Sequence, residues 1–270
     1  MTLTSIKPGT GRRLFSRVLV GVDGSPAGCE AAAQAGRLVA PDGTLELVTA
    51  SYLIDANVQR WPQEQIEATL EREGGPALNE AAALAEPRAT TRLLNGPAKQ
   101  ALLGEAERYQ ASVIAVGTHE HSRLSELLIG GVAGPLLHDA PCSVLIARPP
   151  ASSALFPRNV VVGLDGSPSS LEAVAVGEYL GARFGVPVRA LLARHGDVDL
   201  VRAELRAPQP EIVDGSAVDV LVEAIASSDL VVVGSRGLHG LSALGSVSER
   251  VAHKARSSVL VVRAQPWRDG

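Results

Sequence analysis

The sequence predicts an α/β chain of two tandem domains. Each is a doubly wound five-stranded parallel sheet with helices on both faces, and the second lacks most of one helix. Three observations carry this. Blocks of sequence recur in the same order in both halves of the 270-residue chain. Within each half, strand-length apolar runs alternate with Ala-rich stretches, five strands to a half, and alternating βαβ units imply a parallel sheet with right-handed crossovers. Aromatics are only 3% of a chain that is 46% hydrophobic, so the core must be Ala, Val, Leu and Ile. Buried parallel strands have that composition.

The repeat is the strongest of the three. RVLVGVDGSP at 17–26 and NVVVGLDGSP at 159–168 agree at seven of ten positions. ASVIAVGTH at 111–119 matches SDLVVVGSR at 228–236, and PCSVLIAR at 141–148 matches RSSVLVVR at 256–263. The offsets are 142, 117 and 115 residues. Strand-like GTLELVTA at 43–50 still matches VPVRALLA at 186–193 at an offset of 143, and Gly96 matches Gly215 at 119. The shortening therefore falls between those points, where the first half carries WPQEQIEATLEREGGPALNEAAALAEP. The missing piece reads as most of the second helix. Residues 1–16 read as a loose extension, 17–149 as the first domain, 150–158 as a Pro- and Ser-marked linker and 159–265 as the second domain.

The net charge of −4, with no basic face, excludes bulk nucleic-acid binding. No signal-like start and no bilayer-length apolar run point to a cytoplasmic protein without membrane contact. Cys29 and Cys142 make no disulfide framework.

In each half the first strand ends near an aspartate, Asp23 or Asp165. Ser25 and Ser167 suit helix N-caps, and Pro26 and Pro168 suit the first helical position. D-G-S-P serves a plain strand-to-helix turn. It equally serves a ligand, because an Asp at a strand's carboxyl end accepts hydrogen bonds from a ribose or other hydroxyl, and the glycine lets a ligand approach. In the second half Gly234, Gly237 and Gly240 follow a buried strand, and Gly245, Ser246, Val247 and Ser248 open a helix. Amides at a helix start make an anion site, Arg236 can add a cation, and Ser246 and Ser248 can add hydroxyls. No lysine follows in a G-K-S/T arrangement, so this is not a P-loop.

Asp165, Gly234-Ser-Arg-Gly237, Gly245-Ser246-Val247-Ser248 and SVLVV at 258–262 together resemble the universal stress protein family. The resemblance spans residues 17–264 and implies an adenine-nucleotide-binding regulatory protein of stress adaptation. The ligand would be ATP, or AMP or ADP, with or without Mg. The site it implies comprises Gly163, Asp165, Val233, Gly234, Ser235, Arg236, Gly237, Gly245, Ser246, Val247 and Ser248. Gly21, Asp23, Gly117 and Gly130 are weaker first-half counterparts. Seven residues separate Gly237 from Gly245 where the family pattern has nine. The first half keeps the spacing, but Glu120 replaces the second glycine and Gly131 the hydroxyl residue, so its site reads as degraded. Family members also pair last strands at dimer interfaces. A tandem chain can satisfy this internally as a pseudo-dimer, with SVLIA at 143–147 beside SVLVV at 258–262, or between chains as a homodimer. The alternative function is a partner-binding scaffold of the same fold, with an unknown protein partner, that has lost nucleotide. Catalysis beyond slow ATP hydrolysis is not expected, because no poised general base or P-loop lysine is present. His119 and His121 lack a third ligand at metal spacing, and Cys29 reads as a small buried residue.

Overall fold

The computed structural model describes residues 13–51, 61–85, 89–118, 130–149, 156–193, 210–225, 228–235 and 246–263. The first half contains strands β1 (Arg17–Gly21), β2 (Thr44–Ser51), β3 (Thr90–Asn95), β4 (Val113–Gly117) and β5 (Ser143–Ala147). Its helices are α1 (Pro26–Leu38), α2 (Gln63–Leu84), α3 (Ala98–Tyr109) and α4 (Ala133–Asp139). The second half contains β6 (Val160–Leu164), β7 (Val188–Ala193), β8 (Glu211–Val213), β9 (Leu230–Gly234) and β10 (Ser258–Val262). Helices α5 (Pro168–Phe184), α6 (Ala217–Ile225) and α7 (Ser246–Lys254) pack on these.

Helix entry follows the local chemistry. Ser25 Oγ accepts from Gly28 N at the head of α1, and Ser167 Oγ accepts from Ser170 N at the head of α5. Pro26 and Pro168 occupy the first positions, where a missing N–H costs nothing. The turn before each cap needs a left-handed residue, supplied by Gly24 at φ 76° and Gly166 at φ 82°.

All strand pairs within each half are parallel, and the strand order is β3-β2-β1-β4-β5 followed by β10-β9-β6-β7-β8. The two five-stranded sheets thus join as one ten-stranded sheet with a pseudo-twofold at its centre. There β5 and β10 run antiparallel, with Val144 opposite Val261, Leu145 opposite Leu260 and Ile146 opposite Val259. This is the pairing expected from SVLIA and SVLVV, and it covers two edges that would otherwise invite association. Alternate strand residues face opposite sides. Val18, Val20, Val160 and Val162 pack with α1, α2 and α5 in one core. Leu19, Ile114, Val161 and Val231 pack with α3, α4, α6 and α7 in the other. Both cores run through both halves.

Two features differ from the sequence reading. Within the expected loose extension, Leu14 and Phe15 are 2% and 0% exposed. Phe15 stacks on Tyr179 of α5 with ring centroids 6.2 Å apart, and its carbonyl accepts from Ala40 N at 2.9 Å. The last linker residue is also anchored. Arg158 makes a two-pronged pair with Asp229, Nε to Oδ2 at 2.8 Å and Nη2 to Oδ1 at 2.7 Å, which holds that buried carboxyl below its ordinary range. The expected loss of a helix falls on residues 194–209, outside the described residues. Among the described residues, no helix is long and apolar enough to cross a membrane.

Candidate functional site

Strand β6 has β9 on one side and β7 on the other, so the winding reverses between β6 and β9. Crevices at such reversals, at the carboxyl ends of the strands, are where open α/β sheets hold ligands. An open cleft lies there, lined by Gly163, Leu164, Asp165, Ser170, Leu191, Ala193, Ala217, Val220, Leu221, Val233, Gly234, Val247 and Ser248. The floor and roof are aliphatic, Asp165 stands at the rim, and the first turn of α7 closes one wall.

The two glycines of this cleft have packing reasons for being glycine. A Cβ on Gly163 would sit 2.9 Å from Leu221 Cδ1, so its absence lets the α6 leucine close over the sheet. A Cβ on Gly234 would lie 2.5 Å from Ser169 C and Ser170 N, because the first turn of α5 rests on the end of β9. Gly234 therefore admits a helix, which its place at the head of a glycine-rich loop does not reveal.

Asp165 is half-buried, and its Oδ1 accepts from Ser167 N at 2.9 Å. Beneath it Ser170 Oγ donates to Ser167 O at 2.9 Å and accepts from Asp165 N at 3.4 Å. Across the cleft Ser248, 4% exposed, donates its hydroxyl to Gly234 O at 2.7 Å. That hydroxyl, expected as a donor to ligand, ties the head of α7 to the end of β9 and leaves its oxygen lone pairs. The Ser235 amide is likewise committed, donating to Val262 O at 2.7 Å.

The first half repeats the cleft between β1 and β4. Gly21, Val22, Asp23, Val48, Ala50, Ala98, Leu102, Val116, Gly117, Gly130, Gly131, Val132 and Ala133 line it. A Cβ on Gly21 would meet Leu102 Cδ1 at 2.9 Å, the distance found at Gly163 and Leu221. A Cβ on Gly117 would stand 2.2 Å from Ala27 O. Asp23 is exposed, and its Oδ1 accepts from both Ser25 N at 3.0 Å and Ser25 Oγ at 2.5 Å.

Of the site residues read from sequence, Gly163, Asp165, Val233, Gly234, Val247 and Ser248 meet in one cleft, and Gly21, Asp23, Gly117 and Gly130 meet in the other. Ser246 opens α7, whereas Ser235 does not line the cleft. Arg236, Gly237, Gly245, His119, Glu120 and His121 lie outside the described residues. The sequence reading missed Ser170, Leu221 and their neighbours. A signal for Ser170 was present, since it stands five residues after Asp165 where the first half has Gly28. Among the described residues no group of three His, Cys, Asp or Glu could hold a metal.

The universal stress protein family model matches residues 14–148 and 192–263. This chain belongs to the universal stress protein family. It is 30% identical to universal stress protein Rv2005c of Mycobacterium tuberculosis, over 91% of this chain and 96% of that one. Universal stress protein Rv2623 of the same organism is 28% identical over the same shares. A solved universal stress protein from Archaeoglobus fulgidus superposes with a TM-score of 0.70 at 18% identity, covering 92% of this chain and 98% of that one, which is a likeness of fold. The family match begins again only at residue 192 in the second half. The Asp165 turn therefore rests on the internal repeat and on the cleft around it.

Proposed function

We propose that this universal stress protein is a nucleotide-binding regulatory protein and that its second-domain cleft takes an adenine nucleotide, ATP in the first instance. One observation carries the reading. At the winding reversal of the second half, an aliphatic slot suited to a flat base, a rim carboxylate suited to ribose hydroxyls and a helix N-terminus suited to phosphate converge on one cleft. Asp165 is the one titratable side chain among the described residues lining it. A role in stress adaptation is part of this proposal, and family membership supports it.

A second reading, a protein-binding scaffold without nucleotide, draws support from the Ser248 hydroxyl and Ser235 amide. Both are bonded within the protein rather than offered to a ligand.

Titration calorimetry with ATP on wild type, Asp165→Asn and Asp165→Ala separates the readings. Asparagine keeps an acceptor for Ser167 N and so preserves the turn. A lost charge-assisted hydrogen bond is worth about 1.5–3 kcal/mol, or roughly ten- to a hundredfold in affinity. The expected order is wild type, then Asn, then Ala. Equal affinity in all three overturns the assignment of Asp165, and absence of heat with wild type favours the scaffold.

A further inference from the structure

The third repeated block, Ser-Val-Leu-Ile-Ala-Arg148 and Ser-Val-Leu-Val-Val-Arg263, carries a serine and an arginine that the clefts do not use. Their place is the central strand pair. Arg148 N donates to Ser258 Oγ at 3.0 Å and Arg263 N to Ser143 Oγ at 3.0 Å, one bond for each sense of the pseudo-twofold. The guanidinium groups then cross into the opposite half. Arg148 Nη2 donates to Ala252 O at 2.6 Å, in the last turn of α7. Its Nη1 donates to Ser257 O at 3.2 Å. Arg263 Nη2 donates to Leu137 O at 2.6 Å and His138 O at 3.0 Å, in the last turn of α4.

Helices α4 and α7 are the ones whose first turns wall the two clefts, with Val132 and Ala133 at the first and Val247 and Ser248 at the second. At 1.5 Å per residue these helices are only about 10–14 Å long. Such short helices move as rigid pieces, and a cation on their terminal carbonyls also complements the helix dipole. Arg148 is 5% exposed, so its charge is held in place by those carbonyls and not by water. A further crossing contact, His138 Nε2 to Glu249 Oε1 at 3.3 Å, links the end of α4 to the first turn of α7.

We propose that Arg148 and Arg263 are crossed positioning residues, each fixing the cleft helix of the other domain, so that the state of one half sets the shape of the cleft in the other. This coupling stands whatever ligand the clefts hold. It gives the tandem a use that two separate domains lack, because neither cleft helix is fully anchored by its own half.

The test uses the full chain, with a reporter thiol introduced by Val247→Cys at the second cleft or by Val132→Cys at the first. The native Cys29 and Cys142 are 7% and 1% exposed and label slowly. In the Val247→Cys background, Arg148→Met should raise the rate of reaction with an aromatic disulfide by about tenfold or more, the effect of losing one charge-assisted bond from a local opening equilibrium. In the Val132→Cys background the same change should leave the rate as it was. Arg263→Met should give the mirror pattern. Equal acceleration at both thiols, acceleration only in the arginine's own half, or no acceleration would each overturn the proposal. Should the Met variants fail to fold, Arg148→Lys and Arg263→Lys keep the charge but not the fork. The same crossed pattern is then expected at smaller amplitude, and hydrogen exchange over 246–254 against 133–139 reads it without any reporter.

Discussion

The two clefts are built from equivalent strands and equivalent helices, yet they differ in what faces the ligand. A Cβ added at Gly21 or Gly163 would meet Leu102 or Leu221 Cδ1 at the same 2.9 Å, and Asp23 and Asp165 stand at corresponding rims. The apolar frame is thus conserved within the molecule, while the polar fittings are not. Ser170 and Ser248 line the second cleft; at the matching positions the first half has Gly28, which does not line its cleft, and Ala133, which does. The α7 helix has nine residues and begins with Ser246, whereas α4 has seven, begins after Val132 without a side-chain cap, and carries Pro135 in its first turn. The packing groups are thus alike in the two halves, while the polar groups facing the clefts differ. This physical difference leaves the second cleft the better equipped with polar groups.

If packing alone fixes the strand-end glycines, their replacement should cost stability in both halves alike. At Gly117 an added Cβ meets the Ala27 carbonyl oxygen at 2.2 Å, and at Gly234 it meets backbone atoms at 2.5 Å. Backbone cannot turn aside as a side chain can. Gly117→Ala and Gly234→Ala should each destabilise by about 3 kcal/mol or more, the upper end of overpacking costs. Gly21→Ala and Gly163→Ala, which meet only leucine and valine methyls, should cost nearer 1 kcal/mol. Thermal unfolding of the four variants checks the order. A harmless Gly117→Ala would mean that the glycine is kept for a ligand after all.

A smaller effect separates α1 from α5. Glu30 of α1 accepts from Gln34 Nε2 at 2.7 Å. Its counterpart Glu172 lies between buried Leu171 and Ala173, and the residue four positions on is Val176, which cannot donate. Burial pushes the Glu172 carboxyl up from 4.5 to about 7. With a folded value above the unfolded one, the stabilising contribution is fully present below about pH 4.5. It is lost as pH rises through about 7. Glu172→Gln removes this term, so the variant should match wild type near pH 4 and exceed it at pH 8 by about 1–2 kcal/mol, the full shift being reduced by solvent screening at this partly exposed site. Parallel curves for the two proteins across that window would show that Glu172 reaches water.

Much of this was legible in the sequence because the signals are local. The caps at Ser25 and Ser167, the prolines after them and the alternation of apolar runs are read over a few residues. The one long-range fact, the pairing of β5 with β10, came from the family resemblance applied to the repeat. What escaped depends on partners far away in the chain. Phe15 reads as a tail residue until Tyr179 is beside it. Arg148 and Arg263 read as strand-end charges until they reach carbonyls 104 and 126 residues away. Gly117 and Gly234 sit at the head of a loop motif, and no spacing in that motif announces that a helix lies across them.

The finest distinction between the clefts lies at the turn under each aspartate. In the second half Ser170 Oγ donates to Ser167 O and accepts from Asp165 N, bracing the loop from below. In the first half Gly28 leaves that place empty of side chain, and Asp23 has moved into it. A Cβ on Gly28 would lie 2.7 Å from Asp23 Oδ1. Asp23 is therefore bound twice to Ser25 in a way the serine of the second half would not permit. Exchanging the residues tests whether each turn is matched to its own aspartate. Ser170→Gly removes two hydrogen bonds and places glycine in a helix, costing about 1 kcal/mol or a little more. Gly28→Ser is the sharper case. On helix propensity alone it should stabilise by a few tenths of a kcal/mol. If the Asp23 carboxylate must leave its turn, it should instead destabilise by about 1 kcal/mol, a fall of roughly 2–4 °C in melting temperature for a chain of this size. The structure favours the fall. A rise in melting temperature for Gly28→Ser would show that Asp23 can adopt the Asp165 arrangement freely, and the two rims would then be the same turn in two rotamers.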